Sequence, residues 1–196
     1  MATNGIRIVT LLGSVRPGNL TSAALRLAID ELSGMEDVAV DAIDPADFDL
    51  GLPGTLKHSE LSKILQARVS PATGVLIATP EYHGSFSSVT KLLIEHLNFP
   101  SVLSGKPIAL LGVAAGAIGA IKSLEHLRSV CSHIGGIVLP GPVSVANANK
   151  AFDAQGHCTD EAVERRVRAL AHNLVDYIRQ NLCPRVCLEQ MVRGGD

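Results

Sequence analysis

The chain has 196 residues, a net charge of −2, 46% hydrophobic and 18% charged residues. That length suits one domain with a single core, and that much apolar material sets the chain far from the disordered class. No basic run marks a nucleic-acid surface or a membrane patch, no apolar run approaches the ~20 residues of a bilayer span, and no secretory pattern opens the chain. The four cysteines, Cys131, Cys158, Cys183 and Cys187, lack a metal or disulfide spacing and read as reduced thiols of a cytoplasmic protein.

Ile6 to Leu12 is a short apolar run ending at Gly13, as expected of a strand buried on both faces of a parallel sheet. A helix follows, with Leu20, Ala24, Leu27, Ala28 and Leu32 on one face and Gly34 as its stop. Val38 to Ile43 reads as a second strand, Asp44 to Thr55 as a loop, and the next segment as a helix running to about Val69. Gly74 to Thr79 is a third strand ending at Pro80, and Phe86 to Leu97 a third helix. Pro107 to Val113 is a fourth strand, Ile118 to Ile134 a helix, and Ile137 to Leu139 a short fifth strand. After a Pro-rich loop the last helix covers Asp160 to Leu182, with Val163, Val167, Leu170, Leu174 and Ile178 as its buried stripe. Strands alternating with helices imply right-handed βαβ units. We therefore expect an α/β fold, a flavodoxin-like three-layer sandwich on a five-stranded parallel sheet of order 2-1-3-4-5. It would form a single domain over residues 1–182, with 183–196 as a peripheral tail. Such sheets bind ligands outside the carboxyl ends of their strands, at the switch point.

Three loops lie at that end. Gly13-Ser14-Val15-Arg16-Pro17-Gly18-Asn19-Leu20-Thr21-Ser22 joins the first strand to a helix N-terminus. Free backbone N–H groups, three hydroxyls and the Arg16 guanidinium there suit a phosphate monoester. An ordinary turn with a polar cap is the plainer alternative. The segment fails two rival phosphate patterns. Asn19 and Leu20 stand where a nucleotide triphosphatase loop needs Lys and Ser/Thr, and Val15 replaces the second glycine of a dinucleotide loop, so a single terminal phosphate fits better. Thr79 to Ser88 follows the third strand and offers an aromatic residue and backbone amides to a flat ligand. Ser85 or Ser87 would cap the helix there.

The GSxR loop and, some sixty residues later, Pro80-Glu81-Tyr82-His83-Gly84-Ser85 resemble the NADPH-dependent FMN reductase family, over residues 5 to 145. That resemblance implies that Ser14, Arg16, Asn19, Thr21 and Ser22 hold the FMN phosphate. It implies that Pro80, Glu81, Tyr82, His83 and Gly84 line the ring and ribityl chain, largely through backbone atoms. It also sets the glycine-rich loop from Gly112 through Gly116 to Gly119 at the pyrimidine edge of the flavin. Many members have Asn where His83 stands and Ser where Asn19 stands. Close packing of helix on strand is the alternative role for the glycines.

The resemblance implies hydride transfer from NADPH or NADH to FMN, with reduced flavin passed to an acceptor or to a partner flavin-dependent monooxygenase. The cofactor carries that chemistry, so no catalytic side chain is named. Three alternatives stay open: an FMN-retaining reductase of quinones, azo dyes or chromate, a flavin-binding electron carrier without NAD(P)H activity, and a catalytically idle fold that binds another phosphate ligand. The absence of Trp, with only Tyr82 and Tyr177 as tyrosines, argues for an open flavin face and so for a reductase; Phe48, Phe86, Phe99 or Phe152 could still contribute. The seven histidines show no zinc spacing, so no metal is expected, and Cys183 with Cys187 is at most a redox pair. Leu92, Leu93, Ile94 and Leu97 cover more than one helix face, which suggests a homodimer or homotetramer interface or else deep burial in one subunit.

Overall fold

The computed structural model describes residues 5–182. The expected tail, with Cys183 and Cys187, lies outside the described residues. Strands β1 (Ile6–Leu12), β2 (Val38–Ile43), β3 (Gly74–Tyr82) and β5 (Pro107–Val113) run parallel in the order β2-β1-β3-β5. The fifth place beside β5 is shared by two short strands, β6 (Ile137–Val138) against Pro107 and Ile108, and β7 (Val143–Val145) against Leu111–Val113. The sequence between them reads Leu-Pro-Gly-Pro, and prolines cannot donate to a ladder, which splits the strand. The flavodoxin-like order 2-1-3-4-5 is therefore present, with its last position built in two pieces.

Helices α1 (Leu20–Ser33) and α6 (Glu161–Asn181) cover one face; α2 (Leu56–Val69), α3 (Ser88–Glu95) and α4 (Ile121–His133) cover the other. Each central strand feeds both cores. Ile8 and Leu12 of β1 pack toward α1 and α6, while Val9 and Leu11 pack toward α2 and α3. All five residues of the expected α6 stripe are buried. Asp160 caps that helix, its carboxylate accepting from the N–H groups of Ala162 and Val163.

Three boundaries differ from expectation. β3 runs past Pro80 to Tyr82, because β1 ends at Leu12 opposite Ala78 and Pro80 lies where β3 no longer has neighbours on both sides. Its last residues pair with the antiparallel β4 (Ser85–Phe86) through a two-residue turn in which His83 has φ 52° and Gly84 φ 75°. Positive φ at both central residues is the hairpin geometry that favours Asn-Gly, which gives a backbone reason for Asn at position 83 in many family members. Phe86 thus belongs to a strand, and α3 starts at Ser88 with Ser87 as its cap. α4 starts three residues late, because Gly119 sits at φ 76° and Ala120 donates its N–H to Ser144 Oγ at 2.8 Å instead of entering the helix.

Candidate functional site

The loops after β1, β3 and β5 meet at one end of the sheet and enclose two adjoining cavities. One, of 430 Å³, is lined by Ser14 through Leu20, Ser22, Ala23 and Arg26, together with Asp44, Ala46 and the 153–156 turn. The other, of 270 Å³, is lined by Arg16 through Thr21, by Pro80, Glu81 and Tyr82, and by Val113, Ala114, Ala115, Ala148 and Asn149. They share the segment from Arg16 to Leu20, which forms a saddle between them.

That saddle is built from its own polar groups. Asn19 caps α1, accepting from the Ser22 N–H at 2.7 Å through Oδ1 while Nδ2 donates to the Arg16 carbonyl at 2.7 Å. The N–H groups of Leu20 and Thr21, at the first two positions of α1, have no intrahelical acceptor and leave an electropositive end. Ser14 is buried, and its hydroxyl accepts from the Arg16 N–H at 3.4 Å. The Arg16 guanidinium extends into solvent with no protein partner among the described residues. Arg26, one turn beyond Ser22, donates to the Ser22 hydroxyl at 3.4 Å. Free amides, a buried hydroxyl and two guanidiniums around one cavity make an anion site fit for a phosphate.

The second cavity takes Pro80, Glu81 and Tyr82 from the end of β3 and Val113, Ala114, Ala115 and Ala148 from the end of β5 and the segments that follow β5 and β7. Among the residues lining it, Tyr82 is the sole aromatic one. Phe48 lies against Arg68, Phe86 packs on the second core, Phe152 is buried in the first, and Phe99 is exposed. Glu81 turns its carboxylate to the first turn of α4, where it accepts from the N–H and hydroxyl of Ser123, both at 3.4 Å. This acid supplies from β3 the cap that Ala120 cannot supply from the helix itself.

Of the residues singled out from sequence, the structure brings Ser14, Arg16, Asn19, Thr21, Ser22, Pro80, Glu81 and Tyr82 to the two cavities. His83, Gly84, Gly112 and Gly116 line neither. His83 and Gly84 make the hairpin turn. A Cβ on Gly112 would stand 2.6 Å from Ala120 Cβ and 2.9 Å from Leu124 Cγ, so this glycine serves the close approach of α4 to the sheet. The Gly116 carbonyl accepts from Asn147 N–H at 3.0 Å and holds the loop. Arg26, Asp44, Ala148, Asn149 and the 153–156 turn were not foreseen. The short helix α5 (Ala148–Ala151) that carries two of them follows Asn147 at φ 48°. Arg26 alone left a local signal, as a cation four residues past Ser22 on the same helix face.

A flavodoxin-like domain with an anion cradle at the first helix and a second cavity beside it, lined by Tyr82 and small residues, defines a mononucleotide-binding α/β protein. The sequence profile of the NADPH-dependent FMN reductases matches residues 6–150, and the chain belongs to that family. It is 31% identical to the NAD(P)H-dependent FMN reductase of Pseudomonas aeruginosa, over 86% of this chain and 95% of that one. It is 26% identical to a 2-hydroxy-1,4-benzoquinone reductase of a Burkholderia species, over 89% and 97% of the two chains. The solved NAD(P)H:acceptor flavoenzyme FerB of Paracoccus denitrificans superposes with a TM-score of 0.70 at 21% identity, covering 89% of this chain and 98% of that one, which shows the shared fold. Membership makes the protein an NAD(P)H-dependent flavin oxidoreductase with FMN as its flavin. No helix among the described residues is long and apolar enough to cross a membrane.

Proposed function

We propose that FMN lies across both cavities, its phosphate in the first and its ring in the second, and that the protein reduces it with NADPH or NADH. The observation that carries this reading is the shared saddle from Arg16 to Leu20: a molecule with an anionic end and a flat end spans both cavities over it. Ser14, Thr21 and Ser22 with Arg16 would hold the phosphate. Asn19 shapes the saddle and keeps one amide hydrogen for the ligand. Pro80 and Tyr82 would wall the ring, and the small residues of that cavity leave its other side accessible to a nicotinamide. His83, Gly84, Gly112 and Gly116 act by setting the shape of these loops.

FMN held there would supply the redox chemistry, as the acceptor of a hydride from NAD(P)H. The chain's part is position and electrostatics. The open end of α1 neutralises the phosphate. NADPH and NADH oxidation by the purified protein, with and without added FMN, tests the reading. Activity that rises with free flavin supports release of reduced FMN, which a monooxygenase could use; no oxidation under any condition refutes it. An Arg16→Ala variant should bind FMN about ten- to a hundredfold more weakly, corresponding to about 1.5–3 kcal/mol for lost charged hydrogen bonds. A second reading, in which FMN stays bound and a quinone accepts the electrons, is supported by the Burkholderia relative and predicts a yellow protein indifferent to added FMN.

We also read the protein as a cytoplasmic homodimer or homotetramer. Leu93, Ile94 and Leu97 are buried within their own subunit, so α3 does not supply the interface core by itself. Phe99, 81% exposed, together with Leu52 and Leu56, offers apolar surface for a second copy. A monomer mass at micromolar concentration would refute the oligomer.

A further inference from the structure

Three hydroxyls beneath the loops line neither cavity. Thr79, Ser87 and Thr90 are all buried, on the end of β3, before α3 and within α3. Ser87 Oγ donates to the Gly13 carbonyl at 2.6 Å and accepts from the Thr90 N–H at 3.0 Å. Thr90 Oγ1 lies 2.9 Å from both Ser87 Oγ and Thr79 Oγ1, and Thr79 Oγ1 donates to the Pro80 carbonyl at 3.0 Å. Three hydroxyl protons are available. Two are committed to backbone carbonyls, those of Gly13 in the phosphate loop and Pro80 beside the second cavity, and the third is donated by Thr90 to Thr79 Oγ1.

Gly13 is held on both sides. Its N–H donates to the Ala78 carbonyl at 2.7 Å, and its carbonyl is held by Ser87. A trans peptide is planar, with its C=O and N–H pointing in opposite directions. The carbonyl of Gly13 and the N–H of Ser14 belong to the same peptide unit. Drawing that carbonyl into the core turns the Ser14 N–H outward, toward the cavity that Ser14 lines. A side chain at position 13 would displace the arrangement, because a Cβ there would stand 2.0 Å from Thr90 Oγ1.

We propose that Ser87, from outside the phosphate loop, sets the preference of this site for a phosphorylated flavin over the bare one, by fixing the Gly13–Ser14 peptide so that the Ser14 N–H faces the phosphate. It is a positioning residue, and the inference rests on the reading of the first cavity as the FMN phosphate site. Ser87 also caps α3, so its loss costs stability for a separate reason. The discriminating readout is therefore the ratio of FMN to riboflavin affinity, since riboflavin has the ring and ribityl chain without the phosphate.

Flavin fluorescence titrations of the wild type, Ser87→Ala, Ser87→Gly and Thr90→Val give that ratio. Ser87→Gly keeps a residue tolerated at a helix cap and serves where the alanine variant folds poorly. The expected result is a wild type that favours FMN, a ratio at least fivefold smaller in either Ser87 variant through weaker FMN binding alone, and riboflavin affinity within twofold. Thr90→Val, which leaves the bond from Ser87 to Gly13, should keep the wild-type ratio. Equal loss of both ligands in the Ser87 variants, or an unchanged ratio, overturns the inference. A wild type that binds riboflavin as tightly as FMN overturns the phosphate-site reading itself, and the inference with it.

Discussion

Replacing His96 by Phe should flatten the acid limb of the stability profile. His96 ends α3 as its C-cap and is fully buried, stacked on His58 of α2 with ring centroids 4.1 Å apart. Ser62 Oγ lies 3.0 Å from His96 Nδ1 and 3.4 Å from His58 Nδ1, while Nε2 of each ring is buried without a hydrogen-bond partner among the described residues. Burial, and then the charge of His58, hold the His96 imidazole below its ordinary titration range; a backbone interaction with His58, and then Glu95, oppose this. A base with a depressed folded pKa contributes stability that is complete above its unfolded pKa of about 6.5 and is lost as pH falls below it, because the unfolded chain takes the proton first. A group that stays neutral in the fold loses about 1.4 kcal/mol of stability between pH 7.5 and 5.5, the ceiling for one proton. For a domain of this size that is about 3–6 °C in Tm. Urea unfolding followed by circular dichroism at those two pH values measures the loss. Carboxylates held low by their partners, Glu31 by His172 and Arg168 and Asp41 by Arg68 and Arg7, also lose stability in acid, but equally in both proteins. His96→Phe keeps the stack and removes the imidazole, so its loss should be smaller than that of the wild type by up to about 1.4 kcal/mol. Equal losses would refute the assignment.

Gly13→Ala forces a Cβ to within 2.0 Å of Thr90 Oγ1 and 2.8 Å of the Ala78 carbonyl, and should cost about 1–3 kcal/mol, read as a Tm lower by about 2–12 °C. Leu174→Ala removes a fully buried side chain where α6 meets the sheet beside Gly74 and should cost about 2–5 kcal/mol in urea unfolding. The Cys131 thiol is buried and its pKa pushed up to about 12, so iodoacetamide at pH 8 should leave it unmodified in the native protein and label it in denaturant, as peptide mass mapping would show.

The parts of the fold legible in the sequence are those where one physical requirement dominates. β1, β3 and β5 are buried on both faces and so read as apolar runs; α6 has one buried stripe and a capping Asp160, and its bounds came within a residue. β7 was hidden because three residues following a Pro-Gly-Pro segment carry no period, and its pairing with β5 is fixed by the sheet edge rather than by local pattern. β4 was hidden because His83-Gly84 is not among the usual hairpin pairs. In the site, the β1 loop stood out because hydroxyls and a guanidinium cluster where helix amides are free. Gly112 was misleading: a glycine that admits a helix and a glycine that admits a ring look alike until the neighbour is seen. Ala148 and Asn149 reach the cleft only because Ala114 donates its N–H to Val145 and accepts from the Ala148 N–H, contacts with no local sequence signature.

These contacts separate what binds from what holds the binding groups in place. Each of the three loops is tied down by buried or half-buried groups that line neither cavity. Gly13 is held by Ala78 and Ser87, the β3 end by Thr79 and Thr90, and the loop after β5 by Val145, Asn147 and Ser144. Such ties fix the free amides before a ligand arrives, which lowers the ordering cost of binding. Arg16 is the contrary case, exposed and unattached, and can contribute only through the ligand. Affinity and stability should therefore come apart along this line. Arg16→Ala would lower flavin affinity and leave Tm near that of the wild type, whereas Gly13→Ala would lower both. If the two variants lost Tm equally, Arg16 would have a structural partner that the geometry does not show, and the division between ligand-facing and loop-holding residues would fail.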